Sequence, residues 1–176
     1  NGEVEKPLDE AGVRAMAKQI KEEGEIEALS VNFLFSYVRP DHEQRVKEIL
    51  AEELPEIPVS ISFDVMPKWK EYERASTTIA DAYVKPIVSN QVRNIRQRFT
   101  ENGITDHIVV IKSNGGEMTL EAAENTPIQM TVSGPTGGGI AGKHIAGLVG
   151  IDHLVTIDMG GTSTDTSTIV GRQENF

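Results

Sequence analysis

An α/β fold is predicted by two features of the chain. Stretches with helical spacing of apolar residues alternate with short apolar runs of strand length, and two of those runs end directly in glycine-rich turns. Strand ends that run into glycine turns are where open α/β folds place their ligands. No internal repeat or low-complexity tract breaks the alternation.

The elements follow in order. A first helix starts after Pro7-Leu8-Asp9, puts Val13, Met16, Ala17 and Ile20 on one face, and stops at Gly24. Ala28 to Phe35 reads as a short apolar strand. Pro40-Asp41 opens a second helix, with Gln44 three residues after Asp41 as in a capping box. Val46, Ile49, Leu50 and Leu54 form its buried stripe, and Pro55 ends it. Val59 to Phe63 alternates as a strand should, and these four elements read as the close of a first lobe. A longer helix follows, capped by Ser76 or Thr77, with Ile79, Ala82 and Tyr83 on one face; Pro86 is expected to kink or divide it. Beyond the proline, Val88, Val92, Ile95 and Phe99 keep the helical period, and Asn102-Gly103 supplies the stop. Asp106 to Lys112 is a buried-looking strand, Leu120 to Glu124 a short helix and Ile128 to Val132 another strand. A glycine-rich turn after Ser133 leads into a helix through Ile140, Ala141, Ile145, Ala146 and Leu148, and Leu154 to Asp158 with Asp165 to Val170 form a final hairpin.

Composition narrows the function classes. A chain of 176 residues holds one sizeable domain or two small lobes, and 38% hydrophobic residues suffice for a core. The lack of Cys excludes a disulfide scaffold and a thiolate metal site. No apolar run reaches membrane-spanning length, and Asn1-Gly2-Glu3-Val4-Glu5-Lys6 has no signal-peptide character, so a cytoplasmic protein with no membrane partner is expected. The missing initiator Met reads as a processed, cloned or partial chain. A formal charge of −10 argues against a nucleic-acid partner; it also obliges any phosphate site to rely on local N–H groups and a metal. His42, His107, His144 and His153 lack metal-ligand spacing. His42-Glu43 reads as first-turn helix surface, Trp69 as a packed aromatic at a lobe junction, and Glu71-Tyr72-Glu73-Arg74 as a structural ion pair. There is no Gly-x-Ser-x-Gly elbow and no P-loop lysine, so neither a serine hydrolase nor a Walker-type ATPase is supported.

The segment richest in chemistry is Ile157-Asp158-Met159-Gly160-Gly161-Thr162-Ser163-Thr164-Asp165. Two carboxylates flank a Gly-Gly turn dense with hydroxyls, directly after an apolar run. Gly160 and Gly161 allow positive φ and close backbone approach. Successive N–H groups in such a turn can form an anion nest, and Thr162, Ser163 and Thr164 can add hydroxyl donors. Asp158 and Asp165 suit a phosphate only if a hard cation such as Mg²⁺ sits between. The other reading is a polar hairpin whose Asp and Thr residues make only turn hydrogen bonds. Ser133-Gly134-Pro135-Thr136-Gly137-Gly138-Gly139 is expected to feed a helix N-terminus with free N–H groups, or else to be a close-packing helix-start loop. Ser113-Asn114-Gly115-Gly116 is a tight turn in which the Asn114 amide can both donate and accept, or else an ordinary β-turn.

Asp158-Met159-Gly160-Gly161-Thr162-Ser163-Thr164-Asp165 resembles the phosphate-loop signature of the hydantoinase A/5-oxoprolinase family, which also includes subunits of acetone and acetophenone carboxylases. Lys112-Ser113-Asn114-Gly115-Gly116 and Ser133-Gly134-Pro135-Thr136-Gly137-Gly138-Gly139 resemble two further family turns in the same order. Upstream, Phe33-Leu34-Phe35-Ser36-Tyr37, Pro40-Asp41-His42-Glu43 and Glu71-Tyr72-Glu73-Arg74-Ala75-Ser76-Thr77-Thr78 also read like family sequence. The resemblance runs from about Ala28 to about Val170.

It implies an actin-like ATPase (ribonuclease H-like) lobe, a mixed sheet flanked by helices, as a fragment of a two-lobed fold. Residues 1–67 would end an N-terminal hydantoinase/oxoprolinase-type lobe, and 68–176 would begin the hydantoinase A-type lobe carrying the phosphate hairpin. Carried over, Asp158 would organise Mg²⁺ or its water, and Gly160, Gly161, Thr162 and Ser163 would line the phosphates of ATP. Asp165 would be a catalytic or supporting carboxylate. Asn114, Gly115, Gly116, Gly137 and Gly138 complete the expected nucleotide-binding set. The implied activity is ATP-dependent hydrolysis of a cyclic amide through phosphorylation of its ring carbonyl. The alternatives are a carboxylase subunit acting on a ketone, and a non-catalytic actin-fold domain that binds a partner subunit. Implied partners are the nucleotide, the remaining lobes of a parent protein and a second subunit of the hydantoinase B type. The family's first phosphate hairpin and its adenosine-binding segment are not found in these residues, and Lys112, Gly139 and Thr166 depart from the family pattern. Half a nucleotide site, inactive by itself, is the expectation.

Overall fold

Asp9 caps the first helix, α1 (Glu10–Glu23), by accepting the Gly12 N–H at 3.0 Å, and Gly24 ends it in the left-handed region at φ 69°. The computed structural model describes residues 3–104, 108–171 and 173–175. After α1 the order is β1 (Leu29–Val31), α2 (Asp41–Glu53), β2 (Val59–Ile61), α3 (Ser62–Val65), α4 (Glu71–Glu101), β3 (Val109–Ile111), β4 (Glu117–Thr119), α5 (Leu120–Asn125), a 3₁₀ turn (Pro127–Met130), α6 (Ser133–Val149), β5 (His153–Met159), β6 (Thr164–Val170) and β7 (Gln173–Asn175). The predicted α/β alternation is present, with a parallel pair β1-β2 and two antiparallel sheets, β3-β4 and β5-β6-β7. No helix among the described residues is long and apolar enough to cross a membrane.

The chain forms two compact units, Asn1–Ile104 with Glu124–Ile128, and Thr105–Ala123 with Gln129–Phe176. In the first, Val13 and Ala17 of α1 meet Val46, Ile49, Leu50 and Leu54 around α2, and Leu29, Val31 and Val59 of the parallel pair pack against them. The stripe expected for α2 is therefore its core face. Met16, expected on the buried face of α1, is 54% exposed.

Several expectations change for identifiable reasons. Asp41 is the first residue of α2 rather than its cap: Pro40 stands at the cap position, and the Asp41 carboxylate is taken by Arg39 at 2.6 Å. Glu43 is not surface but fully buried, accepting from Phe33 N at 2.7 Å, Ser62 Oγ at 2.7 Å and Phe63 N at 2.9 Å. Those bonds shorten both expected strands: the chain leaves β1 before Phe33 and turns at Phe35 (φ 60°), and Phe63 lies in α3. Arg74, fully buried, pairs with Glu71 as expected; it also donates to Ser62 Oγ, Lys68 O and Phe33 O. Trp69 is 68% exposed, so it is not a packed aromatic in this chain.

The long helix starts before Ser76, at Glu71, and runs unbroken through Pro86. Thr77 and Thr78 donate back to the carbonyls of Glu73 and Arg74 instead of capping. Burial of Ala82, Lys85, Ser89 and Val92 on both sides of Pro86 holds the helix together despite the lost N–H. The expected strand from Ile128 is a 3₁₀ turn, because the Ile128 N–H donates to Asp81 Oδ1 at 3.0 Å and not to a neighbouring strand. Asp106 and His107, where the third strand was expected to begin, lie outside the described residues.

Candidate functional site

All three glycine-rich segments belong to the second unit. Strands β5 and β6 pair antiparallel with Asp158 directly opposite Asp165 and Met159 opposite Thr164. Side chains alternate across a strand, so one face carries the rungs Leu154/Ile169, Thr156/Ser167 and Asp158/Asp165 in succession. Ser167 and Ile169 are buried and Leu154 and Thr156 half-buried on that face, whereas the acid rung at its end is exposed. The opposite face presents Val155, Ile157 and Met159 uncovered.

Residues Gly160 to Ser163 close the hairpin through a Gly160 N–H bond to Ser163 O at 2.9 Å. Neither Gly160 nor Gly161 adopts a positive φ, contrary to the reason first given for them. A Cβ on Gly161 would find nothing within 4 Å, and one on Gly160 would make only an ordinary contact of 3.7 Å with Ser163 O. The chain's own conformation therefore does not require glycine at either position. What the glycines leave is room for a close approach from outside.

Among the described residues the two carboxylates face each other without a counter-charge. Among the described residues no ion pair includes Asp158 or Asp165, and the hydrogen bond given to Asp165 comes from Ser163 Oγ at 3.2 Å. Like charges directly opposite on adjacent strands destabilise the pair. No group of three or more potential ligand side chains assembles among the described residues. The two carboxylates of the Asp158/Asp165 rung are therefore the candidate cation ligands at this site.

The Ser113-Asn114-Gly115-Gly116 turn joins β3 to β4, with Gly115 at φ 83°. Asn114 Oδ1 accepts the Gly116 N–H at 3.1 Å, which fixes the amide in the turn and leaves its NH₂ as the donor Asn114 can offer. Ser113 joins this turn to the start of α6: its Oγ accepts from Val132 N at 3.2 Å and its carbonyl from Thr136 Oγ1 at 3.0 Å.

Ser133 to Gly139 is not a loop before the helix but the first two turns of α6. Gly137 and Gly138 therefore spend their N–H groups on intrahelical bonds, and the free donors belong to the first turn, where Pro135 has none to lose. Glycine disfavours a helix, so packing must override propensity here. Thr136, Gly139, Gly142 and Ala146 form the buried stripe of α6. Gly137 lies against Ile111 and Gly115 against Ile140 and Thr136, while Gly138 faces open space.

The structure thus brings Asn114, Gly115 and Gly116 together with the start of α6, and Asp158, Asp165 and Gly160 to Ser163 together at the hairpin tip. Helix α6 is common to both groups, packing on β5 and β6 and touching β3. The sequence reading missed Thr136, Gly142, Thr156 and Ser167, which tie these parts together. The hydroxyls at Thr156 and Ser167 were visible as strand residues, but only the register showed them bonded to each other at 2.5 Å.

Comparisons with known proteins identify the family. Residues 74–175 match the model of the hydantoinase/oxoprolinase family, and residues 1–54 match that of the hydantoinase/oxoprolinase N-terminal region. A nucleotide-free structure of acetone carboxylase superposes with a TM-score of 0.82 at 31% identity, over 95% of this chain and 24% of that one. The ATP-dependent caprolactamase of Pseudomonas jessenii gives a TM-score of 0.79 at 33% identity over the same shares, 95% and 24%. The 5-oxoprolinase of Saccharomyces cerevisiae is 34% identical over 93% of this chain and 12% of its own length. The chain spans at most a quarter of the length of the curated relatives it matches, 25% of the first and 24% of the next. It belongs to the hydantoinase/oxoprolinase family.

Proposed function

We propose that this chain supplies one half of a Mg²⁺–ATP site in an enzyme that hydrolyses a cyclic amide. The observation that carries the reading is the uncompensated Asp158/Asp165 rung beside a glycine turn that the chain's own backbone does not require. In this reading Asp158 holds Mg²⁺ or its water, and Asp165, positioned by Ser163, is the second carboxylate. Gly160, Gly161, Thr162 and Ser163 line the phosphates through backbone N–H and hydroxyl groups. The Asn114 NH₂, Gly115, Gly116, Gly137 and the bare surface of Gly138 complete the nucleotide side. Bound Mg²⁺ would neutralise phosphate charge, and the residues around it would supply the positioning on which phosphoryl transfer depends. Transfer of the γ-phosphoryl group to the carbonyl oxygen of the cyclic amide would release ADP and activate that carbon. Water would add there, the ring C–N bond would break with a proton going to nitrogen, and the original carbonyl oxygen would leave as inorganic phosphate.

The reading assigns residues 1–67 to the end of an N-terminal lobe and 68–176 to the start of the hydantoinase A-type lobe, the remaining lobes belonging to a parent protein. ATP as co-substrate points to the cytoplasm, and a second subunit of the hydantoinase B type is the expected partner. The likeness to acetone carboxylase favours a second reading, a carboxylase subunit that activates a ketone at the same half-site.

Calorimetric titration of Mg²⁺–ATP and Mg²⁺–ADP into this chain and into Asp158→Ala tests the half-site, with the parent protein as the complete system. Binding lost in Asp158→Ala supports the reading; equal binding by the variant in the parent protein overturns it. Assaying the parent protein for ATP-dependent opening of lactams and hydantoins, against ATP-dependent ketone carboxylation, separates the two readings.

A further inference from the structure

We infer that Gly142 is a positioning residue of this nucleotide half-site, fixing where the carboxylate rung stands against α6; the inference rests on the reading above. Gly142 lies in the middle of α6, one helical turn beyond the glycine-rich segment Ser133 to Gly139 and outside every segment that resembles the family's binding turns. It is buried, and a Cβ placed on it would come closer than 3.0 Å to Thr156 Cγ2, with Ile169 Cδ1 and Leu154 Cδ2 each at 3.5 Å. A contact under 3.0 Å is one that real Cβ atoms essentially never make, and its target is a β-branched side chain with little rotamer freedom.

Thr156 cannot yield without cost. Its Oγ1 is bonded to Ser167 Oγ at 2.5 Å across the hairpin, and this rung is the next one below Asp158/Asp165 on the same face. The helix that presses on Thr156 also carries, in its first turns, Thr136, which holds the Ser113 carbonyl and with it the Asn114-Gly115-Gly116 turn. One glycine therefore sets the spacing between the two groups of candidate binding residues, both of which are held by α6. An extra methyl group at residue 142 must lift the hairpin off α6 or rotate Thr156 and break its bond to Ser167. Either change moves the carboxylates relative to the Ser113 turn.

The test uses Gly142→Ala, Thr156→Ser and the double variant in the parent protein. Serine removes the obstructing Cγ2 and keeps the hydroxyl for Ser167. Mg²⁺–ADP affinity is measured by calorimetry, and amide hydrogen exchange follows residues 154 to 158 and 165 to 169. The expected result is that Gly142→Ala weakens binding tenfold or more and accelerates exchange around the rung, while the double variant returns both to within about twofold of wild type. Unchanged affinity in Gly142→Ala, or failure of Thr156→Ser to restore it, overturns the inference. Should Gly142→Ala alone fail to fold, the double variant decides: it must fold and bind. A wild-type protein that binds no nucleotide removes the functional reading, and the exchange data then still decide whether Gly142 sets the rung.

Discussion

Replacing Asp158 by Asn should make the hairpin more stable while depriving it of metal binding, a combination that a purely structural carboxylate cannot give. Asp158 and Asp165 are directly opposed, exposed and without a counter-charge among the described residues. Facing side chains on adjacent strands stand about 5 Å apart at Cβ. Two unit charges some 6 Å apart in water repel by roughly 0.7 kcal/mol. Measured cross-strand pairs span the same range, about 0.2–1 kcal/mol. Asp158→Asn removes that repulsion without changing side-chain shape. In metal-free buffer of low ionic strength the hairpin should gain about 0.2–1 kcal/mol, and the gain should shrink as added salt screens exposed charge. Because the chain has two compact units, a global melt is a poor reporter, and exchange of β5 and β6 amides is the better one. Added Mg²⁺–ADP at ten times its dissociation constant should protect wild type by about 1.4 kcal/mol and leave Asp158→Asn unprotected. A variant that loosens the hairpin in metal-free buffer would refute the reasoning, since it would mean that protein groups already satisfy Asp158.

Three further outcomes follow from the first unit. Glu43→Ala strands two backbone N–H groups and the Ser62 hydroxyl, so it should cost about 3–5 kcal/mol in urea unfolding, whereas Glu48→Ala at an exposed ion pair should stay within about 0.5 kcal/mol. Asp81 is fully buried, accepts from Ser60 Oγ and Ile128 N, and stands 3.6 Å from Lys85 Nζ. Burial pushes the Lys85 ammonium below its ordinary pKa and Asp81 partly offsets this, so removing either partner, by Asp81→Ala or Lys85→Met, should cost about 3–5 kcal/mol in urea unfolding by leaving the other buried without its partner. The hydrogen bond from Arg45 holds the Glu10 carboxyl below its ordinary 4.5; the stability it contributes is present above that value and fades as pH falls through the lower folded value. Arg45→Ala should therefore flatten the acid side of the stability profile, as pH-dependent urea midpoints would record.

What was legible in the sequence was whatever a local pattern encodes. The Asp9 cap and Gly24 stop of α1, the buried stripe of α2 and the hairpin around Gly160-Gly161 all rest on short-range periodicity or turn chemistry. The errors lie where a distant partner overrides local preference. Glu43 looks like first-turn surface until Phe33, Ser62 and Phe63 deliver their donors to it. Ile128 has strand composition, but its N–H is claimed by an aspartate 47 residues earlier. At the candidate site, the sequence located the acid pair and the glycine turn. It could not reveal that the two acids share one rung, nor that Ser113 ties the second turn to α6, because register and docking are properties of the assembled unit.

The glycines of α6 show why residue type alone could not settle their role. A run as rich in glycine as Ser133 to Gly139 reads as loop, since each glycine costs a helix about 1 kcal/mol relative to alanine. The helix forms because its other face packs on the hairpin, which makes the same substitution carry opposite signs four residues apart. At Gly142 an alanine methyl meets Thr156, so Gly142→Ala should destabilise. At Gly138, exposed and with nothing within 4 Å of a built Cβ, Gly138→Ala should stabilise the second unit by about 0.8–1 kcal/mol through helix propensity alone. The proposed half-site puts the nucleotide against that open surface, where an added methyl would obstruct it. Gly138→Ala should therefore raise stability in urea unfolding and weaken Mg²⁺–ADP binding in calorimetry. A variant that gains stability and binds as wild type would confine Gly138 to the helix and remove it from the nucleotide side of the site.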